Sequence, residues 1–87
     1  MVSEKVVVRN LTGLHLRPAW ILCNRAILFK SRIQFRIGNT VANAKSVLSV
    51  LGACVKSGDE IEFICEGEDE KEALDSMIEV VKSGLGE

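Results

Sequence analysis

Two stretches of this chain follow a period of two in apolar and polar residues, Arg32 to Ile37 throughout and Glu60 to Glu66 at every position but Ile64. In the first, Ile33, Phe35 and Ile37 fall on one side and Arg32, Gln34 and Arg36 on the other. In the second, Ile61, Phe63 and Cys65 oppose Glu60, Glu62 and Glu66. A period of two marks a strand with one face buried and one face in water. Such strands do not suit a parallel sheet covered on both sides, whose strands are apolar throughout. They call for an antiparallel sheet with helices on one side only.

The remaining elements fit that scheme. Val2 to Arg9 reads as a strand with Val2, Val6 and Val8 on one face. Gly38-Asn39 is a turn signal, so Thr40 to Ala44 returns as a short hairpin strand. A helix is expected from about Leu16 to Phe29, with Ala19, Leu22, Cys23, Ala26 and the stem of Lys30 as its core stripe. That leaves Leu16, Trp20 and Ile27 on one flank, and Ile21 and Leu28 on another side. The helix is thus more apolar than burial of one face requires. Ser46 is placed to cap a short helix, Val47 to Ala53. Ser57-Gly58-Asp59 is a turn before the last strand. Gly67-Glu68-Asp69 leads into a final helix, Glu70 to Ser83, with Ala73, Leu74, Met77, Val80 and Val81 buried and Gly84 as its stop. The order β-α-β-β-α-β-α predicts an α+β fold: a four-stranded antiparallel sheet covered on one face by three helices.

Length and composition bound the function. Eighty-seven residues make a single domain, residues 1–87, with no repeat or linker. The net charge of −1 argues against general nucleic-acid binding. No apolar run is long enough to span a bilayer, so direct membrane insertion is not expected. Met1 to Lys5 lacks a signal-peptide pattern, and the expected location is the cytoplasm. Cys23, Cys54 and Cys65 are odd in number and widely spaced, and with one histidine they make no convincing metal site. They read as small apolar core residues, kept reduced. No cofactor is expected.

The chemistry gathers in Asn10-Leu11-Thr12-Gly13-Leu14-His15-Leu16-Arg17-Pro18, which holds the only histidine and the only proline. A strand, a Gly-containing turn and then His-x-Arg-Pro put an imidazole and a guanidinium at a helix N-terminus. Unpaired N–H groups and the positive end of the helix dipole suit that end to an anion, phosphate above all. Imidazole is nucleophilic when neutral near pH 7, and its P–N bond is labile. The first-turn N–H groups of Leu16 and Arg17 would stabilise phosphoryl oxygens. Pro18 costs nothing in a first turn, and Arg17 offers a fork for the oxygens. His15 as phosphate acceptor and Arg17 as its charge partner are the candidate reactive residues.

At the level of whole segments the chain resembles HPr, the histidine-containing phosphocarrier family of the bacterial phosphoenolpyruvate:sugar phosphotransferase system. Gly13-Leu14-His15-Leu16-Arg17-Pro18-Ala19 is similar to that family's active-site loop, and Ala44-Lys45-Ser46 to its regulatory serine segment. Ser57-Gly58-Asp59-Glu60-Ile61 and Glu66-Gly67-Glu68-Asp69-Glu70 are similar to the turns flanking its last strand. The resemblance implies an open-faced β-sandwich. It implies that Nδ1 of His15 accepts a phosphoryl group from phosphorylated enzyme I and passes it to IIA domains of sugar permeases. It implies phosphorylation of Ser46 by HPr kinase/phosphorylase in bacteria that possess it. A phosphate at that N-cap should stabilise the helix, so its effect would fall on partners. Docking would use Leu16, Trp20, Val47, Leu48 and Leu51, with Val47 and Leu48 the more exposed and Val50 and Leu51 shared between core and surface. A monomer, itself consumed and regenerated as a substrate, is expected rather than an enzyme.

The chain also departs from the family. Typical members carry small residues at the positions of Leu16 and Trp20 and basic ones near Asn24 and Ile27, where this flank is apolar. Trp20 is either a partner anchor or part of a self-association patch. Cys54 stands where glycine is common, and Gly38-Asn39 inverts the usual Asn-Gly order. Two rival readings follow. One is a paralogue serving a regulatory, nitrogen-related phosphotransferase branch; the other is a non-catalytic interaction domain of the same fold. An RNA reader is disfavoured, because Lys5, Arg9, Gln34, Arg36, Glu60 and Glu62 supply no aromatic residue to the open sheet face.

Overall fold

A computed structural model describes residues 1–87. The elements are β1 (Val2–Val7), α1 (Leu16–Ala26), β2 (Arg32–Ile37), β3 (Thr40–Asn43), α2 (Val47–Gly52), β4 (Glu60–Glu66) and α3 (Glu70–Lys82). The strands form one sheet in the order β1-β4-β2-β3, and every neighbouring pair is antiparallel. All three helices cover one face, as the one-sided alternation of β2 and β4 requires.

Register follows from that alternation. Phe35 lies opposite Phe63, Ile33 opposite Cys65, and Val6 opposite Ile61. A slip by one residue would turn each of these apolar side chains to water. Phe35 and Phe63 meet edge to face, with ring centroids 5.9 Å apart at 68°, and both are fully buried. Burial of each such side chain contributes about 1.5–3 kcal/mol. The opposite face carries ladders of charge. Arg32 pairs with Glu66 at 2.7 Å and Arg36 with Glu62 at 3.7 Å. Both arginines are exposed to water, so each pair contributes little. No helix is long and apolar enough to cross a membrane.

The differences from expectation lie at element ends. α1 stops at Ala26 rather than near Phe29. The N–H groups of Leu28 and Phe29 bond three residues back, to Arg25 and Ala26. The next two, on Lys30 and Ser31, are taken by the Asp69 carboxylate at 2.9 Å each. That competing acceptor draws the chain out of the helix, and it leaves Lys30 exposed beside Glu68 instead of laying its stem on the core. β1 ends at Val7, because Val8 leaves the ladder to pair with Gly58 and Asp59. β3, α2 and α3 each end one residue early, at Asn43, Gly52 and Lys82. The core stripe of α1 is Ala19, Leu22, Cys23 and Ala26 as read, joined by Pro18. Ile78 of α3, and Leu85 beyond it, also enter the core. Val50 is wholly buried rather than shared with the surface, because α2 turns it inward.

Candidate functional site

The loop Asn10–Leu14 carries the chain from β1 to α1. Gly13 has φ +66°, a left-handed conformation open to glycine, and the next N–H, on Leu14, donates to the Val55 carbonyl at 3.0 Å. The buried Leu14 side chain anchors the turn in the core. His15 follows as the N-cap of α1, its backbone extended at φ −77° and ψ −173°. Its carbonyl accepts the Ala19 N–H at 2.8 Å. Its side chain makes no capping bond, so the exposed imidazole is free of internal partners.

The first turn of α1 leaves its donors free. The N–H groups of Leu16 and Arg17 have no partner within the protein, and Pro18 has none to offer. Pro18 and Ala19 are buried, which fixes the turn against the core. No acidic side chain lies in that turn. The Arg17 guanidinium is exposed and unpaired, whereas Arg25 on the same helix is held by Ser76 and Glu79. A free imidazole, two free N–H groups and a free guanidinium therefore share one end of α1.

Beside them lies an open cleft of about 270 Å³, lined by Leu14, His15, Leu16, Leu51, Cys54, Val55 and Lys56. The cleft joins the start of α1 to the end of α2. Cys54 corrects the reading of all three cysteines as core residues: it is exposed, while Cys23 and Cys65 are buried. It follows the end of α2 with φ +54°, a conformation usually left to glycine, and so belongs to no packed face. Burial raises the thiol pKa of Cys23, and that of Cys65 to about 11 with help from nearby Glu70 and Asp69. Neither is a nucleophile at neutral pH. No group of three or more acidic, histidine or cysteine side chains is arranged to hold a metal.

Ser46 caps α2, its Oγ accepting the Ser49 N–H at 3.2 Å. The Ser49 hydroxyl in turn accepts the Asn43 N–H at 2.8 Å. Ser46 is half-buried and sits at the opposite end of α2 from the His15 cleft, separated from it by the helix length of about 9 Å. Leu16, Trp20 and Leu48 are 66%, 59% and 83% exposed. Val47 and Leu51 are both half-buried and pack on the core, so Val47 is not the more exposed of the two. Ile27 and Leu28 extend the exposed apolar flank.

One part of the site carries no sequence signal. The Glu87 side chain accepts hydrogen bonds from the Thr12 hydroxyl, the Thr12 N–H and the Asn10 amide, just ahead of His15. The Thr12 hydroxyl in particular holds this carboxyl below its usual pKa. Neither periodicity nor spacing links residues 75 or more positions apart.

A family model described as the PTS HPr component phosphorylation site matches residues 2–83. The HPr-like protein Crh of Bacillus subtilis (strain 168) is 38% identical over 82 residues, 94% of this chain and 96% of that protein. The multiphosphoryl transfer protein of Salmonella typhimurium is 37% identical over 90 residues. That match takes in 100% of this chain but 24% of the longer protein. Among solved structures, HPr-C-His from Thermoanaerobacter tengcongensis superposes with a TM-score of 0.96 at 33% identity, covering 100% of this chain and 98% of that one.

Proposed function

The chain belongs to the HPr family of phosphocarriers of the phosphotransferase system, and we propose that His15 is its phosphoryl acceptor, loaded by phosphorylated enzyme I and unloaded onto IIA domains of sugar permeases. The observation that carries the proposal is the free imidazole of His15 above the unpartnered N–H groups of Leu16 and Arg17. In transfer, a ring nitrogen of His15 forms the new P–N bond as the donor's bond to phosphorus breaks. The charge that spreads over the equatorial oxygens meets the two N–H groups and the Arg17 guanidinium. Nothing need be torn apart first, because none of these groups has an internal partner. The protein is then a carrier consumed and regenerated as a substrate, at work in the cytoplasm.

The exposed flank of Leu16, Trp20 and Leu48, with Val47 and Leu51 behind it, supports docking beside His15 by apolar contact. The same flank, unlike the basic one typical of the family, favours a second reading in which the donor is the enzyme I of a regulatory, nitrogen-related branch. Ser46 supports a regulatory role by a kinase: its phosphate would sit at a helix N-terminus, adding charge beside the docking face without unfolding α2.

Phosphorus NMR after incubation with phosphoenolpyruvate and enzyme I tests the proposal. The expected signal is an acid-labile phosphoimidazole that is lost in His15→Ala. A signal that persists in that variant would place the phosphate elsewhere. Loading only by the nitrogen-type enzyme I would replace the sugar branch by the regulatory one.

A further inference from the structure

We infer that Glu87 is a positioning residue for phosphoryl transfer, its carboxylate bridging Asn10 and Thr12 to hold the loop that presents His15. The inference rests on His15 being the phosphoryl acceptor.

The loop has a well-anchored half and a free half. On the His15 side, Gly13 lies against the backbone of Val55 and Lys56, and the Leu14 N–H bonds the Val55 carbonyl at 3.0 Å. On the other side, Leu11 is 90% exposed, and the Thr12 N–H has Glu87 as its one acceptor, at 3.4 Å. Asn10 connects the halves. Its buried amide donates to the Gly13 carbonyl at 2.7 Å and lies 3.5 Å from both the Thr12 hydroxyl and Glu87. Removing the carboxylate strips the acceptor from Thr12 and leaves the Asn10 amide to shift, and that amide is what fixes the Gly13 carbonyl two residues before His15. Hydrogen bonds to a charged group are the stronger kind, so this tether is not incidental to the loop.

The segment that delivers Glu87 is built at a cost. Leu85 adopts φ +52°, a left-handed conformation disfavoured for a branched side chain. It is kept there by complete burial and by its N–H bond to the Val80 carbonyl at 3.3 Å. Gly86 lies so close to Ile21 of α1 that a Cβ would come within 2.6 Å of that side chain. A Gly84 carbonyl to Glu87 N–H bond at 3.0 Å closes the turn. Strain held in place by surrounding packing is a marker of sites where geometry matters. Here it aims a carboxylate at the loop.

The test uses Glu87→Ala, Glu87→Gln, Thr12→Val and the Thr12→Val/Glu87→Ala pair. Without any donor, NMR relaxation of the Leu11, Thr12 and Gly13 amides should report a fall in order parameter from roughly 0.85 to below 0.6 in Glu87→Ala, with Glu87→Gln largely retaining order. Unchanged order would overturn the inference. With phosphoenolpyruvate and enzyme I, Glu87→Ala should lower kcat about tenfold while KM stays within about twofold, because the docking flank is untouched. Glu87→Gln keeps an oxygen for the Thr12 N–H and should recover most of that loss. The double variant should be no worse than Glu87→Ala alone, as expected when two residues act through one contact. A wild-type kcat in Glu87→Ala, or independent effects of the two substitutions, would overturn the inference. Failure of the wild-type protein to load His15 would instead remove the phosphocarrier reading and leave the relaxation result to decide the tether.

Discussion

Gly13 answers two demands at one position. Its φ of +66° lies where side chains are disfavoured, and a Cβ added there would stand 2.5 Å from the Val55 carbonyl oxygen and 2.8 Å from the Lys56 Cα. Those are backbone atoms, which cannot swing aside as a flexible side chain would. Gly13→Ala should therefore push the loop off the Val55–Lys56 backbone and break the Leu14 N–H bond. The expected loss is about 2 kcal/mol, or a fall in melting temperature of about 10 °C for a domain of this size. It should come with slower loading of His15, and calorimetry together with a phosphorylation time course checks both. A variant as stable as the parent would show that the loop can lift without cost. Cys54 occupies the same backbone region at φ +54° with an exposed side chain, so the family's glycine is replaced here in a place where the steric space exists but the backbone preference does not. In the sequence Gly13 is visible as a loop residue; that the Val55–Lys56 backbone presses on it is not, because that contact spans more than forty positions.

Short elements depend on their ends, and α2 is the clearest case. Its six residues are too few for helix stability from propensity alone. It persists because Val50 is buried, Ser46 caps it, and Ser49 bonds back to Asn43. Ser46→Ala should cost about 1 kcal/mol, read as a drop of about 4–8 °C in melting temperature. Ser46→Asp should melt close to the parent, since aspartate caps as well as serine and carries a charge that the helix dipole favours. If Ser46→Asp is as unstable as Ser46→Ala, capping is not what the side chain contributes, and a phosphate there would unfold α2 rather than mark it. The cap, the strands β2 and β4 and the stripe of α1 were all legible, because each is written as a local pattern: a capping serine, an alternation, a spacing of three and four. The end of α1 was not. Nothing in Ile27, Leu28 or Phe29 stops a helix; the stop comes from Asp69, forty residues on, which takes the N–H groups of Lys30 and Ser31. The segment bearing Leu85 and Glu87 carries no such pattern for the same reason, its role arising from contacts rather than from a repeat.

Asp69 joins the molecule together, tying the connection between α1 and β2 to the start of α3. It accepts from the Lys30 N–H, the Ser31 N–H and the Ser31 hydroxyl, while Gly67 lies against Ser31 from behind. Ser31 is only 1% exposed, so its polar groups depend on that one carboxylate. The Ser31 hydroxyl first, and then the Lys30 N–H, hold the Asp69 carboxyl down from 3.8 to about 2. A carboxyl whose folded value lies below its unfolded one binds fewer protons in the folded state. Its stabilisation is complete above about pH 4 and drains away as the pH falls toward about 2. Glu87 is shifted in the same direction by Thr12, so the loop ahead of His15 loosens as that carboxyl too takes up its proton. Asp69→Asn keeps an acceptor oxygen but not the charge. At pH 7 its urea midpoint should lie below that of the parent, and the two midpoints should converge as both are titrated through the interval from pH 4 to pH 2. A constant gap across that interval would mean that Asp69 stabilises the chain by shape and hydrogen bonding alone. A gap that closes would show that one ionised group couples the turn after α1 to the helix on the far side of the sequence.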